Sequence, residues 1–172
     1  FYVAAAEQGI VDAQVNASLM YEAIGQEEQA FRFREMAARS GHTPSLRQLA
    51  EYHRRGVGTE ASARTAATLL RRAARSGDAQ AQFALAECYR EGIGVPQDYT
   101  EMLTWLWMAA GNGNVEAVYR IGMSYAAGDG FRQDGVEAAK WLRSAADLGY
   151  VPAMLALGNL YLTGNGVPMA YD

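Results

Sequence analysis

The chain has 172 residues, half of them hydrophobic and a fifth charged, with 15 basic and 19 acidic side chains for a formal net charge of −4. This balance excludes a disordered tail, a collagen-like fibre and a disulfide miniprotein. A mean hydropathy of −0.16, with no long uncharged apolar run, predicts no transmembrane helix.

The chain opens at Phe1 inside what reads as a helix, because Ala5-Ala6 and Gly9 match Ala145-Ala146 and Gly149. Residues 1–9 are expected to be the end of a preceding repeat, both ends are read as cuts, and more repeats are expected on either side. The unit 10–41 is four residues short of its successors: Gly9 and Tyr21 stand 32 residues ahead of Gly41 and His53, and Gly25 alone marks its loop. Units 42–77, 78–113 and 114–149 keep a 36-residue period, with Gly41, Gly77, Gly113 and Gly149 each preceded by an Ala-Ala pair at one offset. Tyr89, Tyr125 and Tyr161 keep the same beat, followed by the glycine pairs Gly92 and Gly94, Gly128 and Gly130, and Gly164 and Gly166. His53 takes the tyrosine slot ahead of Gly56 and Gly58. Residues 150–172 read as the first helix of a further repeat.

Each unit predicts two helices. In the first, Ala81, Leu85 and Tyr89 recur at four-residue spacing and share one buried face, as do Ala117, Ile121 and Tyr125, then Ala153, Leu157 and Tyr161. Gly122 and Gly158 stand where another helix approaches closely. The second helix spans Ala66 to Ala74, Met102 to Ala110 and Ala138 to Ala146, and ends before a glycine suited to a left-handed cap. Pro44 and Pro152 are placed just before the next first helix. Val95-Pro96 and Val167-Pro168 close the glycine loops. Such hairpins cannot bury their apolar faces alone, so the expected fold is all-α, a right-handed α-solenoid of stacked helical hairpins with one concave and one convex side.

The residues Ala153 to Val167 match the pattern A-x-x-x-L-G-x-x-Y-x-x-G-x-G-V, and the Trp-containing second helix ends A-A-x-x-G. The chain thereby resembles the Sel1-like repeats, a tetratricopeptide-like family, over its whole length. The resemblance implies a bacterial, often exported or periplasmic adaptor: a scaffold in envelope assembly, secretion or signalling, or an immunity protein that sequesters a toxin. Cys88 is the lone cysteine. It suits the cytosol and equally permits an oxidising space, and it argues against the cysteine-rich, penicillin-binding branch of the family.

By the same resemblance, the side of each first helix opposite its buried face lines a concave groove. The offsets assign Val15, Leu19 and Glu22 in the first unit, then Arg47, Glu51, Arg54 and Arg55 in the second. The third contributes Phe83, Glu87 and Arg90, the fourth Tyr119, Met123 and Ala126, and the last Leu155, Asn159 and Leu162. Aromatic and methionine side chains beside arginine are the composition of interface anchors; Phe83, Tyr119 and Leu155 serve equally to pack against a neighbouring first helix. Residues 31–90 carry eleven arginines against five acids, while the flanking stretches 1–30 and 91–172 are each net −5. The belt could seat an acidic protein. Arg39, Arg64, Arg71, Arg72 and Arg75 read mainly as solvated helix faces.

Nothing points to catalysis. The glycine loops lack a following lysine, and no G-x-S-x-G or S-x-x-K occurs. His42 and His53 are remote from each other and from Cys88 in helical spacing, so no metal and no cofactor are expected. The expected partner is another protein, as a segment or a domain, and neither nucleic acid nor membrane insertion is expected.

Overall fold

The computed structural model describes residues 2–164, and every regular element among them is an α-helix. Phe1 and the loop residues Gly166 and Val167-Pro168 lie outside the described residues. The chain forms two compact units, Phe1–Gln97 and Asp98–Asp172. The first holds α1 (Tyr2–Glu7), α2 (Val11–Ala23), α3 (Glu27–Arg39), α4 (Thr43–Arg55), α5 (Ala63–Arg75) and α6 (Ala79–Glu91). The second holds α7 (Tyr99–Gly111), α8 (Val115–Ala127), α9 (Gly135–Asp147) and α10 (Val151–Thr163). After the short α1, every helix has 13 residues, about 20 Å of axis.

The expected register holds at the core. Ala81, Leu85, Ala117, Ile121 and Ala153 have no accessible surface, and Tyr89 retains 9%. Second helices end as expected, with Gly41, Gly77, Gly113 and Gly149 at φ near +85°. Pro44 and Pro152 differ by a step: they lie inside the first turn of α4 and α10, where no intrahelical N–H bond is lost.

Polar side chains close the helix ends. Ser62, Asp78, Asp98, Asn114 and Asp134 each accept a hydrogen bond from a first-turn N–H of the helix that follows. Buried Gln14 and Gln82 donate Nε2–H to the Ala6 and Ala74 carbonyls, at 3.1 and 3.0 Å, adding a second donor to carbonyls that already accept from the Gly9 and Gly77 N–H at the end of the preceding second helix. Among the described residues, the second glycine of a loop pair seats against the start of the preceding second helix: a Cβ on Gly58 would collide with the Glu27 carbonyl, and one on Gly94 with that of Ala63.

The tyrosine slot is used differently in the second unit of the sequence. His53 is half-buried, edge-on to Phe31 at 5.4 Å. The deeply buried ring is the adjacent Tyr52, whose hydroxyl donates to Glu22. Burial pushes the Tyr52 phenol above its ordinary 10.0, and the hydrogen bond to Glu22 adds to this. The folded chain therefore holds this proton more tightly than the unfolded chain does. The stability it contributes is present below about pH 10 and is lost as pH rises beyond it. In denaturant titrations at increasing alkalinity, Tyr52→Phe is expected to flatten the loss of stability relative to wild type; parallel curves would reject the assignment.

Candidate functional site

The first unit contains a cavity of about 470 Å³ where α4, α5 and α6 meet. Its apolar lining comes from Ala50, Ala63, Ala66, Leu70, Ala84 and Ile93, with the Cys88 thiol among them. Arg47, Glu51, Arg54, Glu87 and Glu91 form its polar boundary. Four of the residues expected to line a groove, Arg47, Glu51, Arg54 and Glu87, are thus brought together. Arg55, Phe83 and Arg90 are not part of this lining: Arg55 is exposed, while Phe83 and Arg90 are half-buried.

Helical spacing accounts for this convergence. Arg47, Glu51 and Arg54 share a face of α4, and Ala84, Glu87, Cys88 and Glu91 a face of α6, at three- and four-residue intervals. Alanines on the facing helices leave the space between them unfilled. What sequence reasoning missed is the contribution of α5 and of Ile93; the small side chains at Ala63 and Ala66 were the available signal.

The charges at the cavity are already engaged. Arg54 grips Glu51 with two parallel bonds, Nε to Oε2 at 2.7 Å and Nη2 to Oε1 at 2.6 Å. Arg47 approaches Asp78 at 3.4 Å, and Arg90 pairs with Glu87 at 2.9 Å and also with Glu91. The Arg54 hydrogen bond holds the Glu51 carboxyl below its usual range, with burial opposing and the charges of Arg54 and Arg55 assisting. Burial raises the Cys88 thiol, and Glu91 and Glu87 raise it further against a smaller effect of Arg54. At neutral pH it is a protonated, poorly nucleophilic thiol. The arginine belt is also less uniform than a solvated face. Arg71 packs over the Tyr89 ring and donates to its hydroxyl at 2.8 Å, whereas Arg64, Arg72 and Arg75 are exposed.

The second unit has a shallower hollow of about 440 Å³ between α8 and α10. Tyr119, Met123, Leu155 and Asn159 line it, with Ala126 and with Leu142 of α9; Leu162 is exposed outside it. Tyr119 also packs 5.3 Å from Tyr150 and joins the apolar cluster around Val118, the packing role weighed for it from sequence. Leu155 remains 68% exposed. In the first repeat Glu22 is drawn to Arg34 and Tyr52, Val15 is half-buried, and Leu19 is exposed. Among the described residues no group of three histidine, cysteine or acidic side chains is placed to hold a metal ion, and no helix is long and apolar enough to cross a membrane.

Comparison with known families and structures places this architecture. A family model described as Sel1 repeat matches residues 11–42, 43–78, 79–114, 115–150 and 151–168. A Sel1 repeat protein from Oxalobacter formigenes is similar at 28% identity and a TM-score of 0.87, over 96% of this chain and 69% of that one. A protective antigen of uropathogenic Escherichia coli displaying an SLR fold gives 29% and 0.91, over 99% of this chain but only 37% of its own length. Helicobacter pylori cysteine rich protein B, at 19% identity and a TM-score of 0.54 over 67% of this chain and 86% of that one, shares the fold alone. No curated protein matches the chain.

Proposed function

The chain belongs to the Sel1 repeat family, whose members generally mediate protein–protein interaction, and from that premise we propose that it is a non-catalytic binding module whose first unit seats a protein segment at the α4–α5–α6 cavity. The observation that carries this reading is the cavity itself: an apolar floor of alanines, leucine and isoleucine beneath a boundary of paired charges. An apolar anchor on the partner would fill the floor and gain from leaving water, at roughly 25 cal/mol per Å² buried. The polar boundary would fix the register of the flanking segment, since Arg47 and Arg54 can exchange an internal carboxylate for one on the partner. Exported or envelope proteins are the proposed partner class, in keeping with the bacterial sources of the similar structures.

The test fills the cavity. Partners captured by the 172-residue chain from lysate and envelope fractions of the source organism are compared with those captured by Ala84→Trp and by Arg54→Glu with Arg55→Glu. A partner bound at the cavity is lost with Ala84→Trp and weakened by the charge reversal, with helicity unchanged by circular dichroism. Partners retained in full by both variants would move the site elsewhere.

A further inference from the structure

Helix α5 carries four arginines, Arg64, Arg71, Arg72 and Arg75, and no acidic residue. The repeat accounts for one of them. Arg71 lies over the Tyr89 ring, and the same contact returns two repeats later between Arg143 and Tyr161. The positions equivalent to the other three hold Thr100, Met108 and Gly111 in α7, and Val136, Ser144 and Asp147 in α9. In α3 the one arginine in this register is Arg39, which Glu35 holds at 2.9 Å. Other exposed bases of second helices are likewise held within the chain, Arg32 by Glu7 at 3.7 Å and Lys140 by Glu137 at 2.5 Å. Arg64, Arg72 and Arg75 are exposed and form no ion pair among the described residues. The helix dipole favours Arg72 and Arg75 in the last turn but disfavours Arg64 in the first, so folding of α5 does not call for a base there.

At 3.6 residues per turn Arg64, Arg71 and Arg75 lie within about 40° of one another on a helical wheel, and Arg72 within about 100°, as a stripe about 16 Å long. We propose that this stripe docks an acidic α-helix of a partner protein, lying antiparallel to α5 with carboxylates at i, i+4 and i+11 opposite Arg75, Arg71 and Arg64. Charge complementarity and reach select that occupant. Guanidinium groups take carboxylates in two parallel bonds, and Arg71 is already held in place by the Tyr89 hydroxyl at 2.8 Å. A nucleic acid or an anionic membrane would extend past so short a stripe on a chain of net charge −4, whose residues 98–172 carry eight acids against four bases. Helix α5 also has no aromatic side chain for a base to stack on, and its exposed face has no apolar anchor for a bilayer. The cavity draws Ala63, Ala66 and Leu70 from the opposite side of α5, so the two sites are separate and either can fail without the other.

The test titrates the 172-residue chain into a fluorescent, alanine-rich helical peptide with glutamates at that spacing and follows anisotropy at low salt. Saturable one-to-one binding is expected, weakened by added salt and lost by about tenfold or more when the chain carries Arg64→Glu with Arg75→Glu. Arg64→Gln with Arg75→Gln serves as the second variant, since it removes the charges without introducing acids; it is expected to keep the wild-type circular dichroism and still weaken the peptide. A peptide of the same composition with its glutamates spread around the helix is expected to bind several-fold more weakly. Absence of saturable binding, binding indifferent to the glutamine variant, or equal binding of the spread peptide overturns the proposal. So does tighter binding of duplex DNA or of phosphatidylserine vesicles than of the spaced peptide.

Discussion

Gly94→Ala is expected to lower the stability of the first unit by about 3 kcal/mol and its melting temperature by roughly 6–12 °C if the whole chain melts together, or by roughly 12–24 °C if the unit unfolds on its own. Two effects add. Gly94 sits at φ +73°, where an L side chain is strained by about 1–2 kcal/mol. Its new Cβ would also be driven into the Ala63 carbonyl, backbone that cannot give way as a side chain can. Gly77→Ala separates the two. Its φ is +88°, yet nothing lies within 4 Å of the added atom, so only the conformational cost of about 1–2 kcal/mol remains. Thermal melts of both variants measure the difference. Equal losses would mean that the loop does not stack on the start of α5 as described.

The same contact explains why the repeat was legible before any coordinates. A loop that must touch the preceding helix admits only glycine at one position, so Gly58, Gly94 and Gly130 fall on one beat, and the buried slots of Ala81, Leu85 and Tyr89 fall on another. The convergence of Arg47, Glu51, Arg54 and Glu87 on one cavity was legible for a related reason: α4 and α6 are 13-residue helices, so fixed offsets place these side chains on one face of each. Pairing was not legible. Whether Arg54 reaches out to a partner or back to Glu51 depends on rotamers and on the local Coulomb balance, which periodicity does not encode. Nor was the use of Tyr52 in place of His53 as the buried ring, because that choice depends on what α2 and α3 offer it.

What α2 and α3 offer is a polar substitute for an apolar contact, and Glu22→Ala is expected to expose it at a cost of about 1–3 kcal/mol, less than a fully buried pair because the Glu22 carboxylate is partly open to water. Counting back by 36, Arg34 stands in the slot of Leu70, Leu106 and Leu142. Ser18 stands 32 residues before Ala50, and so in the slot of Gly122. The leucine-against-glycine contact of the second unit, where a Cβ on Gly122 would meet Leu142, is here an Arg34 Nε–H donated to Ser18 Oγ at 3.1 Å. Ser18 in turn donates to the Ala30 carbonyl at 2.9 Å, and Glu22 accepts from Arg34 at 3.4 Å and from Tyr52. Arg34 is only 5% exposed. Removing the carboxylate leaves the buried guanidinium a hydroxyl as its protein acceptor, with water able to reach only the end that Glu22 held, which is the source of the cost. Restoring the downstream chemistry should reverse it. Ser18→Ala, Glu22→Leu, Arg34→Leu and Tyr52→Phe together remove every member of the network, and a well-packed apolar replacement for polar groups in a core is often neutral or stabilising, here by about 1 kcal/mol because the Glu22 end is partly open to water. Urea titration of the single and quadruple variants decides the matter. A quadruple variant at least as stable as wild type would show the network to be an alternative way of filling a leucine slot, whereas one no better than Glu22→Ala would show that the shortened first repeat requires its charges to pack.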